Sequence, residues 1–275
     1  MRGKLAALSI LAACLCAPNA FAQTNDGQVS DPWEGTNRHL FALHEGIDKA
    51  VLEPVARGYR AVTPHFFRTG VTNFLNNLRS PVIFINDALQ VEPKRAGTTA
   101  ARFGINTTIG LLGLFDPASH MGLERHDEDF GQTLATWGVG SGPFVWIPVL
   151  GPSNVRDSVG SVVDIAFDPL TWATFDEADE TRAIRTVVGG VSTREGLLDE
   201  VASVRQNSID PYVTFRSTYG LLRESAIQDG PTNVEQLPDF DAVPETDVTP
   251  PPGDTAPPAP QMSPDASTPK AGGKK

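Results

Sequence analysis

The sequence predicts an all-α domain of about six to eight short or medium amphipathic helices, followed by a disordered C-terminal tail. Three observations predict this. Prolines recur directly after capping or acidic residues, apolar residues follow them at helical spacings of three and four, and strand-type alternation is rare. The body, about 31–228, has the size of one domain. It shows no repeat period, which argues against a solenoid, and its helices are too short and too often broken for an up-down bundle.

The first helix opens at Asp31-Pro32-Trp33-Glu34, with Asp31 as N-cap, Pro32 in the first turn and Glu34 completing an acidic capping box. Leu40, Phe41, His44, Ile47 and Val51 then share one face, and Glu53-Pro54 predicts the end. Thr63-Pro64 opens a helix through Phe66, Phe67, Val71, Phe74, Leu75 and Leu78. Ser80-Pro81 opens another, and Glu92-Pro93 opens one that runs toward Asn106. Glu180 to Gln206 reads as helical with a break at Gly189-Gly190. Asp210-Pro211 starts the last helix, with Tyr212, Phe215, Tyr219 and Leu222 on one stripe.

Two stretches do not fit ordinary amphipathic helices. Phe103 to Phe115, FGINTTIGLLGLF, is apolar on too many sides, so it reads either as a buried central helix or as a lipid contact too short to span a bilayer. In Asp129 to Gly160, Gly138, Gly140 and Gly142 precede an apolar strip, Phe144 to Leu150, bracketed by Pro143 and Pro152. Gly and Pro cost about 1 and 3 kcal/mol inside a helix relative to Ala, so the backbone leaves helical geometry here and an apolar loop is expected.

The termini say where the protein works. Residues 1–22 carry Arg2 and Lys4, an apolar run and the small-residue site Ala20-Phe21-Ala22, which is a secretory signal pattern. The same stretch contains Leu11-Ala12-Ala13-Cys14, a lipobox in which Cys14 becomes the acylated N-terminus. The apolar run continues past Cys14, which favours cleavage after Ala22, and the lipoprotein alternative stays open. Residues 23–30 read as a linker. Cys14 and Cys16 are the only cysteines, so the body holds neither a disulfide nor a thiolate metal site. From 229 to 275 the chain is rich in Pro, Asp and Thr, with about half of the 23 prolines and few large apolar residues, and it is expected to be disordered. The net charge of −11 argues against a nucleic-acid partner.

No constellation supports an enzyme, a metal site or a cofactor. His39 and His44 are five apart and do not share the face a zinc pair needs. In His126-Asp127-Glu128-Asp129 the adjacent side chains cannot converge on one ion, and a carboxylate there is better placed to cap the next helix. Ser141 lies in Gly-Val-Gly-Ser-Gly-Pro, which lacks the glycine spacing of a nucleophile elbow and the Lys-Ser/Thr ending of a phosphate loop.

The body nevertheless carries long ordered motifs. They are Asp31-Pro32-Trp33-Glu34-Gly35 with Asn37-Arg38, Gly70-Val71-Thr72-Asn73-Phe74 with Asn77-Leu78, and Arg102-Phe103 with Asn106-Thr107. Gly110-Leu111, Gly113 and Asp116 follow, then Phe130-Gly131-Gln132-Thr133-Leu134, Gly138-Val139-Gly140, Gly142-Pro143 and Arg156-Asp157. On these the chain resembles the MlaA/VacJ family of Gram-negative outer-membrane proteins. The resemblance implies a helical ring in the inner leaflet of the outer membrane, on its periplasmic side and beside a trimeric porin. It also implies a polar channel that takes mislocalised phospholipid from the outer leaflet to a soluble periplasmic carrier, without catalysis or cofactor. It points to Asn37, Phe41, Asn73, Phe74, Asn106, Gly138, Gly140, Arg156 and Asp157 as channel or structural positions. Gly142 and Phe144 join them through the glycine loop, read here as channel wall and gate. A passive porin-bound scaffold, and a hydrolase using His126 and Asp129, are the competing expectations.

Overall fold

The computed structural model describes residues 29–228. The signal-peptide, Cys14 and tail readings, and most of the 23–30 linker, lie outside these residues. Within them the chain is helical, as the proline punctuation predicts, with one two-stranded sheet.

Helix α1, Glu34–Ile47, begins later than expected. Trp33 holds the cap position without a side-chain bond, and Asp31 does not cap. Its carboxylate instead accepts from Asn37 Nδ2 at 2.8 Å, from Arg216 at 2.8 Å and from the Tyr212 hydroxyl. Charge-assisted bonds of this kind are stronger than one backbone N–H at a helix start. Nor does Glu53-Pro54 end the helix. A π-helical turn, Asp48–Leu52, carries the chain into α2, Glu53–Val62. Pro54 has no N–H to donate, so the ladder loses a bond there in any case.

Thr63-Pro64 does open a new helix, α3, but it runs from His65–Leu89, straight through Pro81. An internal proline costs about 3 kcal/mol. Both halves of α3 are fixed by tertiary bonds: Asn77 Nδ2 to Thr107 Oγ1 at 2.9 Å on one side, Asn86 Nδ2 to Asp164 at 2.9 Å on the other. Helix α4, Pro93–Thr108, packs along α3.

Ile109 to Phe115 is neither a buried helix nor a helix at all. Leu111, Leu112 and Gly113 have φ of 52°, 59° and 93°, and Ile109, Leu111, Leu112 and Phe115 are exposed. Gly113 is obligatory in this turn, because an added Cβ meets Asn77 Cβ at 2.4 Å.

Asp116 caps the single turn α5, Pro117–His120, and Asp129 caps α6, Phe130–Thr136, through Gln132 N at 3.0 Å. The strip expected as an apolar loop is a hairpin. Strand β1, Phe144–Ile147, pairs antiparallel with β2, Gly151–Asn154, with Phe144 opposite Asn154 and Ile147 opposite Gly151. Aromatic and β-branched residues favour a pleated, half-buried surface, and Val149 and Gly151 turn the chain with φ of 71° and 99°.

Asn154 caps α7, Val155–Phe167, and Asp168 caps α8, Pro169–Trp172. Helix α9, Ala178–Gly196, passes Gly189-Gly190 unbroken, and the break falls at Leu197 before α10, Leu198–Asn207. Asp210 caps α11, Pro211–Ile227. The single-turn helices α5 and α8 help raise the number of helical segments above expectation.

Phe144, Trp146 and Tyr212 form a buried aromatic core, closed by Leu40, Phe41, Phe215 and Tyr219. Among the described residues no helix is long and apolar enough to cross a membrane.

Candidate functional site

A cavity of about 800 Å³ lies between α3, the α7–α8 turn and α9. Helix α3 turns Thr72, Leu75, Asn76 and Arg79 toward it, at spacings of three and four. From the opposite wall α9 contributes Arg182, Arg185, Thr186 and the Gly189-Gly190 pair. The other side of α9 carries Ile184, Val187 and Val188, all exposed. Helix α9 is therefore amphipathic in the inverse sense: its polar and small residues face the open cleft, and its apolar residues face away from it. Exposed Val162, Trp172 and Phe175 extend the apolar surface on neighbouring elements.

Four of the five charged side chains that line the cavity are held by close neighbours. Arg185 pairs with Asp168, and Arg182 donates to the carbonyls of Leu170 and Ala173 at 2.8 and 2.7 Å. Glu195 pairs with Arg60 at 2.8 Å and Arg68 at 3.2 Å. Ser192 meets Thr72 at 3.0 Å across the cavity edge.

Beside the hairpin lies a second polar cluster. Arg223 holds Asp129 through two bonds of 2.7 Å and reaches Asp157 at 2.7 Å. Asp157 also accepts from Asn154, Arg156 and the Tyr219 hydroxyl. Burial raises the Asp129 carboxyl, and the Arg223 guanidinium more than offsets this and holds it below the usual carboxylate range. Burial and the neighbouring Asp157 push the Tyr219 hydroxyl upward, so it stays a proton donor. Arg156 Nη1 donates to the Val139 carbonyl at 3.3 Å, and Arg156 N to the Ser141 carbonyl at 3.1 Å. The glycine loop is thus tied to the N-terminus of α7, with Gly138 and Gly142 at φ of 85° and 67°.

A profile of the family described as MlaA lipoprotein matches residues 29–226. The chain belongs to the MlaA family. Proteins named intermembrane phospholipid transport system lipoprotein MlaA are similar to it. That of Escherichia coli K12 is 32% identical over 88% of this chain and 96% of its own length. That of Haemophilus influenzae is 34% identical over 85% and 94%. An uncharacterized protein of Rickettsia typhi is 36% identical over 73% of this chain and 79% of its own. A solved structure described as the structural basis for maintenance of bacterial outer membrane lipid asymmetry superimposes with a TM-score of 0.64. It is 36% identical and covers 72% of this chain and 99% of that one.

The MlaA-family motif residues sit mainly at packing junctions. Asn37, 2% exposed, donates to Asp31 and to the Phe144 carbonyl at 3.0 Å and accepts from Trp146 N at 3.0 Å, which pins β1 to α1. Phe41 packs edge-on to Trp146 at 4.8 Å, and Phe144 is fully buried in the same core. Asn106 ties Asp116 and the Ala118 N–H, and Asn73 reaches the Leu114 carbonyl at 3.4 Å. Phe74 is half-buried on α3, and Gly138 and Gly140 are exposed in the loop. None of these residues, nor Gly142, Arg156 or Asp157, lines the 800 Å³ cavity.

None of the residues that do line it was marked as a channel position from the sequence. Their signal was available in the pairing of Arg182, Arg185 and Gly189 on one side of a helix with Ile184, Val187 and Val188 on the other. His126 and Asp129, the hydrolase candidates, are engaged apart: His126 Nε2 faces Asp87 at 2.9 Å and Thr99 at 3.1 Å, while Asp129 serves Arg223 and the α6 cap. A relay through His126 needs both ring nitrogens, and here one nitrogen faces both partners. Among the described residues no cluster of three or more metal-ligating side chains occurs.

Proposed function

We propose that this protein transports phospholipid at the outer membrane, removing mislocalised lipid from the outer leaflet and passing it to a soluble periplasmic carrier. It sits on the periplasmic side, in the inner leaflet, beside a trimeric porin. The observation that carries the reading is the inverse amphipathicity of α9 around the cavity. A lipid headgroup in bare hydrocarbon is costly, so its path needs polar lining while the surroundings stay apolar. Membership of the MlaA family and the names of its relatives support the same substrate. The family's description as a lipoprotein supports an acylated Cys14 over cleavage after Ala22. Within this reading the exposed Gly138–Gly142 loop is the movable gate at the channel wall, with Arg156 as its tether.

The test is a deletion strain complemented with the wild-type chain or with Gly140→Pro, scored for outer-leaflet phospholipid and for porin co-purification. Deletion should raise outer-leaflet phospholipid and detergent sensitivity. Gly140→Pro should fail to restore lipid handling while keeping the porin. Normal leaflet composition in the deletion strain sinks the transport reading. If lipid handling and porin binding are always lost together, a scaffold role is favoured instead.

A further inference from the structure

We propose that Arg79 is the residue that receives the phosphodiester of a phospholipid inside the cavity. This deepens the transport reading and rests on it. Five charged side chains line the space: Arg79, Arg182 and Arg185 against Asp168 and Glu195. Four of them are already satisfied by protein partners. Arg185 is held by Asp168, Arg182 by the Leu170 and Ala173 carbonyls, and Glu195 by Arg60 and Arg68.

Arg79 differs. It pairs with Asp127 only loosely, at 4.0 Å, and it is felt by the Asp129 and Asp164 carboxyls, yet its guanidinium makes no hydrogen bond among the described residues. It is half-exposed, one turn along α3 from Leu75 and Asn76. A guanidinium presents a planar fork of donors that matches two oxygens of a phosphodiester, and such charge-assisted bonds are the strong ones. Leu75, Ile165 and Leu170 lie in the same wall and offer apolar contact to glycerol and the first methylenes. The site therefore carries one cation whose hydrogen-bond donors are not taken up by protein, beside an apolar strip, which complements a monoanionic phosphodiester attached to hydrocarbon.

The experiment is calorimetric titration of the full-length protein in a non-ionic detergent, wild type, Arg79→Gln and Arg79→Lys. The probes are dihexanoyl-phosphatidylglycerol, the neutral dihexanoylglycerol and inorganic phosphate. Loss of a charge-assisted pair predicts that Arg79→Gln weakens the phospholipid about tenfold. Arg79→Lys, which keeps the charge and loses the fork, should recover only part of that loss, and dihexanoylglycerol should bind all three forms alike. Equal phospholipid affinity in wild type and Arg79→Gln overturns the assignment while leaving transport standing. Inorganic phosphate binding as tightly as the phospholipid, with the same loss in Arg79→Gln, overturns the lipid as the source of the anion. No binding of either lipid to the wild type overturns both the assignment and the transport reading.

Discussion

Asn37 illustrates what a single residue contributes here. The sequence marked it within a long motif, as a channel or structural position. Its side chain bonds the β1 backbone on both sides of Val145, at the Phe144 carbonyl and the Trp146 N–H. A strand edge buried against a helix leaves backbone groups that need partners, and one amide satisfies two of them. Asp48 does comparable work in the π turn, and nothing in the sequence marked it. It is 1% exposed and takes Arg194 at 2.7 Å and Arg205 at 2.7 Å. Burial pushes its carboxyl up, and the two guanidinium groups more than offset this, leaving it at about 2. The folded form therefore binds this proton less readily than the unfolded chain. The contribution of Asp48 is complete above the ordinary carboxylate value of 3.8 and is lost as the pH falls toward about 2. Asp48→Asn leaves two arginines facing a neutral amide, and it should cost about 3 kcal/mol at pH 7 in urea unfolding. The variant's stability should also decline less steeply than the wild type's between pH 4 and 2, where Asp116, likewise at about 2, continues to titrate in both. Equal slopes in the two proteins rule out Asp48 as a source of acid sensitivity.

Elements were legible where local chemistry and packing agree. Pro at N1 after Asp210 or Glu92 correctly marks helix starts, because the missing N–H is harmless there. The same residue misleads at Pro81, where bonds from Asn77 and Asn86 hold the two halves of α3 in line. Those partners are 30 and 78 residues away in sequence, so no local window contains the reason. The hairpin was missed for a related cause: four residues of FVWI are too few to establish alternation. The α6–α7 pair shows the tightest demand. A Cβ on Gly160 meets Gly131 N at 2.4 Å and Gly131 Cα at 2.8 Å, and both obstacles are backbone. Gly160→Ala must push the helices apart and strain the Asp129–Arg223–Asp157 cluster that clasps them. A loss of about 2–3 kcal/mol is expected in denaturant unfolding. Gly97→Ala, on α4 with open space around it, should be neutral or mildly stabilising. If the two variants melt alike, close approach of α6 and α7 is not what Gly160 provides.

On the scale of the whole molecule, the helical class was legible from punctuation, while the sidedness of the helices was not. An amphipathic pattern says that two faces differ and leaves open which one turns inward. In an ordinary globular domain the apolar face turns inward, and in the aromatic core around Trp146 this holds. On α9 it is reversed, and the exposed turn Ile109 to Phe115 adds apolar surface of its own. Large exposed apolar patches mark contact with protein or membrane. If α9 lies with Ile184 against lipid and Thr186 toward a wet interior, two residues along one helix must sense different media. They are about 200° apart around the axis. Both cysteines of the chain precede the described residues, so with Cys16→Ser a thiol introduced by Ile184→Cys or Thr186→Cys can carry a bimane label in the folded body. In phospholipid vesicles the label at 184 should be quenched by nitroxides on the acyl chains and shielded from aqueous iodide. The label at 186 should show the opposite pattern. Iodide quenching both labels equally makes the apolar face a solvated one and removes the physical argument for a headgroup path lined by α9.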